Sequence, residues 1–390
     1  MIFQSLTTLL ALGSMATAAP FAVSEARQAA ARKLLVSGPG QTLVTSFNGS
    51  VFTIDGKYQK TGTAASWLLL KPSTKTLYGV DENSNVINQF TLDVATDSNP
   101  KLVTSLTGSS GVVFLEFNKD QTRMVGAAYG SGMIDVYDVS TATPKVLKQI
   151  KVDGNLGPDQ TAHHPHQALL DPTGRFMVIP DLGGDQLLVL DTKDDKYEIT
   201  SKQALFAGAG PRHGGFIKSG DKTFYTVACE LSNKVVLYEV TYTDADLKLK
   251  ELSTQSTYGA AYPPANATSA AAGELVVADN NKDVYISNRV SGNATDSISH
   301  FVFNANATKL TFAHTVSTGG TYPRSMSLST DQELMFMANQ GGDNGLVALK
   351  RCPVSGTLTA KPVASKSLKE LVAPGLETEP NAGPQFVQEI

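Results

Sequence analysis

DPTGRFMVIPDLGGDQLLVL, residues Asp171 to Leu190, holds a polar turn, a short apolar strand, a second polar loop and a further strand. Asp-Pro-Thr-Gly is turn chemistry, because Pro presets φ and Gly accepts a positive φ without steric cost. The same plan starts at Lys71 (KPSTKTLYGVDENSNVINQF) and Asn118 (NKDQTRMVGAAYGSGMIDVY). It returns at Lys218 (KSGDKTFYTVACELSNKVVLY), Asp279 (DNNKDVYISNRVSGNATDSISHF) and Ser329 (STDQELMFMANQGGDNGLVAL). These anchors recur about every 52 residues, the spacing of four-stranded propeller blades, which makes about seven units in the chain. Six are visible, and the seventh is expected where N-terminal strands (Leu34–Val36, Leu43–Phe47, Val51–Ile54) join C-terminal ones. The expected fold class is all-β: a seven-bladed β-propeller of four-stranded antiparallel blades, the ring closed by the terminal strands. A β-helix has shorter coils, and an open sheet of this size would leave long edges that radial closure removes.

The first residues read differently. Leu6 to Ala19 is apolar and small and contains Ala16-Thr17-Ala18, a cleavage pattern, although no Lys or Arg separates Met1 from Leu6. We assign residues 1–18 to a signal peptide, 19–33 to a linker or pro-segment ending in Arg32-Lys33, 34–365 to the propeller and 366–390 to a Pro- and Glu-rich tail. The secretory reading gives weight to four N-x-[ST] sequons, at Asn48, Asn266, Asn293 and Asn306, as glycosylation sites. The expected localisation is extracellular. Only two cysteines occur, Cys229 and Cys352, too few for a disulfide-stapled scaffold. Both lie in strand-like text far apart in sequence, which favours buried free thiols over a bridge.

Composition excludes several classes. With 41% hydrophobic and 17% charged residues the chain suits a packed globule rather than a disordered or coiled-coil protein. A formal charge of -4 offers no broad basic field, so nucleic acid is not an expected partner. No stretch after the leader reaches 18 consecutive apolar residues, so no membrane span is expected.

Propeller geometry then selects candidate residues. If the strand before each anchor is innermost, its start and the end of the next strand meet at one mouth of the channel. Ser66, His166, Arg212 and Arg324 stand five or six residues before anchors; Asp81, Asp181, Glu230, Arg289 and Asn339 stand ten to twelve after. For Asp81, Asp181 and Asn339, capping of loop backbone is an equally good reading. Arg212 opens a strand in GPRHGGF, where Gly214 and Gly215 permit close approach of a ligand or neighbouring strand. Arg324 has the same Pro-Arg setting, and Arg289 adds a third permanent cation. Arginines converging on one mouth repel unless an anion, Glu230 or the two aspartates lie among them, and their planar forks suit carboxylate or phosphate. In His163-His164-Pro165-His166 the strand period places His164 and His166 on one face, but no third metal ligand follows. A general acid-base role fits one histidine better. No metal or cofactor is expected.

HPHQALLDPTGRFMVIPDLGGDQL, GPRHGGF, ACELSNKV, YISNRVSG and YPRSMSLS together resemble the seven-bladed lactonase family over roughly residues 40–350. That family includes propeller-type 6-phosphogluconolactonases and the fungal 3-carboxy-cis,cis-muconate lactonizing enzyme (carboxymuconate cyclase). The resemblance implies His166, Arg212, Glu230 and Arg289 as catalytic residues. His164, Arg324 and Asp181, from the residue pattern alone, are the candidates for binding substrate. It implies an enzyme that opens or closes a lactone on a small anionic substrate, as a lactone hydrolase or an intramolecular lyase (isomerase). Secretion fits poorly with intracellular aromatic catabolism, although the residue match to the muconate enzyme is closer. The competing reading is a secreted glycoprotein that binds an extracellular ligand or adheres through the propeller face, with catalysis weak or lost.

Overall fold

A computed structural model describes residues 31–390 other than position 261. The expected signal peptide and nearly all of the linker lie outside the described residues. The rest forms seven antiparallel sheets arranged as the blades of a β-propeller. Blades 1 to 6 span residues 68–107, 112–151, 169–204, 211–256, 271–317 and 321–367, each with four strands hydrogen-bonded in sequence order. Blade 7 combines both chain ends in three strands: Phe386–Glu389, Arg32–Phe47 and Phe52–Ala64. The repeated polar anchors are the turns between the first and second strands, such as Pro72–Thr74 in blade 1.

Burial explains why the strands differ in sequence texture. The second and third strands lie between neighbouring blades, so Phe176–Asp181 is buried at every position and reads as a continuous apolar run. Fourth strands face solvent on one side; Lys145–Lys151 and Glu198–Ala204 alternate accordingly. The core therefore sits between blades. Val178, Leu187 and Val189 of blade 3 pack with Tyr225, Val227 and Val236 of blade 4.

Ring closure rests on four residue pairs, Leu34–Glu389, Leu35–Gln388, Val36–Val387 and Ser37–Phe386. Arg32 reinforces them through Glu389 at 3.1 Å. The stretch set apart as a tail thus supplies the first strand of blade 7, and the propeller begins at Arg32 within the expected linker. Phe386 is buried, with its ring 5.0 Å from Trp67 in a T-shaped contact. Cys229 is buried as expected, whereas Cys352 is exposed in a turn beyond the third strand of blade 6; both are free thiols. Among the described residues no helix is long and apolar enough to cross a membrane.

Replacing Phe386 by Ala removes the closing strand's anchor and should cost about 3–5 kcal/mol, as other buried Phe→Ala changes do. Val51→Ala, at a position 54% exposed, serves as the control. Thermal unfolding followed by circular dichroism should show a clear fall in Tm for the first variant and none for the second.

Candidate functional site

One irregularity recurs at the start of the first strands. Pro211 pairs with Cys229 and His213 with Ala228, which leaves Arg212 as a surplus residue. Val113 is surplus in the same way between Val112–Ala128 and Phe114–Ala127. Arg324 is surplus between Pro323–Asn339 and Ser325–Ala338. In blade 3 the Pro165–Asp181 bridge and the Leu169–Val178 pair enclose three residues opposite two, and His166 is the first of the three. A bulge of this kind bends the strand and re-aims the extra side chain. Here it turns Val113, His166, Arg212 and Arg324 into the channel mouth.

A second position completes the wall. In blades 2, 4 and 5 the residue that follows the partner of the pre-bulge residue also faces the mouth, namely Tyr129, Glu230 and Arg289, and Glu82 joins them from blade 1. The same place in blades 3 and 6 is held by Leu182 and Gln340, which do not line the wall. Glu82 and Glu230 are fixed alike, their N–H groups donating to Ala64 O at 3.0 Å and Gly210 O at 2.7 Å. These two positions supply eight of the eleven residues around a cavity of about 300 Å³. Gly111 and Gly130 also line it, packed against each other. A Cβ on Gly111 would lie 2.7 Å from Gly130 Cα, so a side chain there would force the two backbone segments apart.

The electrostatics are set by two carboxylates among three arginines. Glu230 lies between Arg212 and Arg289, with Oε2 2.9 Å from Arg212 Nε and Oε1 accepting from Arg289 at 2.7 Å. Arg324 grips Glu82 through both oxygens, one contact at 3.1 Å. Burial alone would raise both carboxyls, but Arg289 and Arg212 outweigh it at Glu230 and Arg324 outweighs it at Glu82; both are held below the usual carboxylate range. Burial, aided by Arg289, pushes Arg212 down to about 10, and it stays charged at neutral pH. Three arginines against two glutamates leave one positive charge on the wall. Among the described residues Arg212 Nη1 and Arg289 Nε have no acceptor. They are donors ready for an anion or a developing oxyanion.

His166 is buried, and its N–H donates to Pro180 O at 2.9 Å. Burial, followed by the nearby Arg212, holds its pKa well below the usual histidine value, so the ring is neutral at pH 7. Nδ1 lies 3.1 Å from His213 Nε2, which leaves Nε2 for the cavity. Tyr129 stands edge-on to His166 at 5.5 Å.

The structure therefore brings together His166, Arg212, Glu230, Arg289 and Arg324. It does not bring Asp181 or His164 to the cavity wall. Asp181 is fully buried and accepts from His164 N at 2.7 Å and Gln186 Nε2 at 2.8 Å, with His163 Nδ1 a further 2.7 Å contact. It ties a loop in place rather than meeting a substrate. His164 stacks behind Tyr129 at 4.2 Å and so positions that ring. Asp81 caps Ala64 N at 2.8 Å, and Asn339 donates to Thr318 O and Asn344 O. Both take the capping role. Gly214 and Gly215 admit neighbouring protein rather than ligand, since Cβ atoms there would lie 2.3 Å from Tyr225 Oη and 2.5 Å from Val277. Glu82, Tyr129, His213 and Glu274 were not singled out by sequence. The first two occupy the blade position of Glu230, one residue beyond the strand-end aspartate or alanine, and that equivalence was the available signal.

The comparisons with known proteins agree with this architecture. Residues 44–369 match the family described as Lactonase, 7-bladed beta-propeller. The chain belongs to this lactonase family. It is 29% identical over 336 residues to a protein of Arthroderma benhamiae named "Probable 6-phosphogluconolactonase", covering 83% of each chain. An uncharacterized Staphylococcus aureus protein is 27% identical over 303 residues, 76% of this chain and 84% of the other. Among solved structures, the periplasmic gluconolactonase of Pseudomonas aeruginosa superposes with a TM-score of 0.75 at 20% identity, over 93% of this chain and 99% of that one. A Lactobacillus plantarum protein gives 0.73 at 20%, over 87% and 99%. At such identities these two structures speak for the fold.

Glu230 is more acidic folded than unfolded. Its stabilisation is fully present above its unfolded value of about 4.3 and is lost as pH falls through the lower folded value. Glu230→Gln should therefore lower stability by about 3 kcal/mol at pH 7, since it leaves Arg212 and Arg289 without their carboxylate. The gap in Tm between variant and wild type should narrow toward pH 3, as melting curves at both pH values would show.

Proposed function

We propose that this lactonase-family protein hydrolyses the ring ester of a small anionic lactone, in the manner of a sugar-acid lactonase, outside the cell. The observation that carries the reading is the neutral, buried His166 on the same cavity wall as three arginines. Water placed between Nε2 of His166 and the substrate attacks the carbonyl carbon. Its proton passes to Nε2, and the carbonyl π electrons move onto oxygen. Arg212 and Arg289 offer the unpartnered N–H groups for that oxyanion. As the carbonyl re-forms, the ring C–O bond breaks, and the departing alkoxide takes the proton back from His166. The product is a hydroxy acid. The net positive wall and Arg324 suit a carboxylate or phosphate carried elsewhere on the substrate.

Support for hydrolysis over cycloisomerisation comes from the family description and from the name of the Arthroderma relative. The secretory part of the reading is supported by the apolar leader and by exposure: Asn48, Asn266, Asn293 and Asn306 all stand exposed in turns or loops. An asparagine accessible on a turn is what glycan transfer requires.

A proton-release assay over a panel of sugar lactones, phosphorylated and not, and muconolactone-type acids tests this. At least one anionic lactone should turn over, and His166→Ala or Arg289→Ala should lower kcat/KM by a factor on the order of 10² to 10³. Turnover confined to muconolactone-type acids would favour the cyclase chemistry, and unchanged rates in both variants would remove the site. Secreted protein should lose mass on enzymatic deglycosylation; material retained unglycosylated inside the cell would count against the extracellular assignment.

A further inference from the structure

Beneath the mouth, Phe114, Gln167 and His213 follow the surplus residues of blades 2, 3 and 4, and with Trp67 of blade 1 and Glu274 of blade 5 they form a second layer. His213 and Glu274 are both buried. His213 Nε2 is 3.1 Å from His166 Nδ1, and His213 Nδ1 is 2.7 Å from Glu274 Oε1. Trp67 and Phe114 stand edge-on to the His213 ring at 5.7 and 5.5 Å and fix its plane. Glu274 Oε1 also accepts from Leu275 N at 3.2 Å. Oε2 has no partner among the described residues, and the residue lines a second cavity of about 430 Å³ further along the channel. Three buried groups thus form a chain from the mouth to the channel interior.

A neutral imidazole carries one proton, and the tautomer follows from the partners it meets. With Glu274 ionised and both rings neutral, one arrangement satisfies both contacts. His213 donates Nδ1–H to Glu274, and His166 donates Nδ1–H to His213 Nε2. The lone pair of His166 Nε2 is then left for the cavity. We infer that Glu274 and His213 are positioning residues that keep His166 Nε2 free of its proton and relieve His166 of the positive charge it acquires. This rests on the hydrolytic reading above.

The need for such relief is electrostatic. An imidazolium at His166 would stand buried beside Arg212 and Arg324, with Tyr129 as the near aromatic neighbour. The charge is far better placed on His213, in direct contact with the Glu274 carboxylate. When water gives its proton to His166 Nε2, the Nδ1 proton moves to His213 Nε2. His166 is neutral again, and an imidazolium–carboxylate pair forms below. On collapse the two protons move back: His213 Nε2 returns its proton to His166 Nδ1, and His166 Nε2 gives its proton to the leaving alkoxide. No ring turns over, and every group ends as it began. The groups facing this chain are Arg212 and Arg324 from above and Glu116, which lines the same lower cavity as Glu274.

The test compares Glu274→Gln and His213→Gln with wild type on the lactone that the panel identifies, with melting curves to show that each variant is folded. Both should lose kcat by a factor on the order of 10² to 10⁴, as when a histidine loses its orienting carboxylate. KM should change less than about threefold. Removing the negative charge destabilises the protonated pair, so the acid limb of kcat/KM in Glu274→Gln should move to lower pH. Glu274→Asp should restore part of the rate. Independently of any substrate, nitrogen-15 NMR of the wild-type protein should show both His166 and His213 protonated at Nδ1. Full kcat with an unmoved pH profile in both variants, or a proton on Nε2 of His166, would overturn the relay. If His166 itself proves dispensable for turnover, the hydrolytic reading falls, and the NMR tautomers still decide whether the chain is built as described.

Discussion

The pairing of Leu34–Ser37 with Phe386–Glu389 is the contact on which the rest of the molecule depends. A propeller sheet has no core of its own; each blade buries its faces only against its neighbours. Blades 3 and 4 share one buried cluster, and blades 6 and 7 share another in which Leu34, Phe47 and Val387 pack with Phe336 and Leu346; the complete ring holds both in place. Closure also sets the angle between blades, and that angle brings side chains from blades 1 to 6 to one mouth. Arg324 and Glu82 are 242 positions apart in sequence and meet only because the ring closes between them.

Within that ring, the bulge does the positioning. A regular strand alternates its side chains, so a polar residue aimed at the mouth would force its neighbours to the wrong faces. One surplus residue resolves this. Pro211 and His213 both keep their pairing, and Arg212 alone is redirected. The three arginines are then held by protein carboxylates before any ligand arrives, so little reorganisation remains for the moment of reaction. Glu230 is shared between two arginines, and donors on both are left without an acceptor among the described residues.

Turn chemistry and period made the blades legible in sequence, and the Pro-Arg settings pointed to Arg212 and Arg324, though not to the bulges that aim them. His166, Arg212 and Arg324, picked by their spacing before the anchors, stand at the bulges. At the second position the reading mixed two registers. Glu230 and Arg289 face the mouth, but Asp81, Asp181 and Asn339 lie one residue too early, where side chains turn back to cap loop backbone. A one-residue shift reverses a side chain's face, and the loop after the second strand hides where that shift falls. His213 was visible in GPRHGGF yet indistinguishable from a core histidine. Its meaning depends on Glu274, 61 residues away and in the next blade. Distance across blades is what a single sequence does not display.

Two positions per blade also separate chemistry from stability. Bulge residues and the residues beyond the second strand contribute little to the interblade core, so their identities can change without unmaking the ring. Membership in the lactonase family thus describes a frame, and the reaction is decided by what occupies these positions. In this chain they hold one histidine, three arginines and two glutamates, and the layer below adds a second histidine and a third glutamate. A wall of arginines alone would bind an anion and suppress any base beside it, since burial and Arg212 already depress His166. A base can function there only if its charge has somewhere else to go, and the contact between His213 and Glu274 supplies that place. On the proposed hydrolytic reading, the buried carboxylate below the mouth is therefore as much a part of the site as the arginines above it.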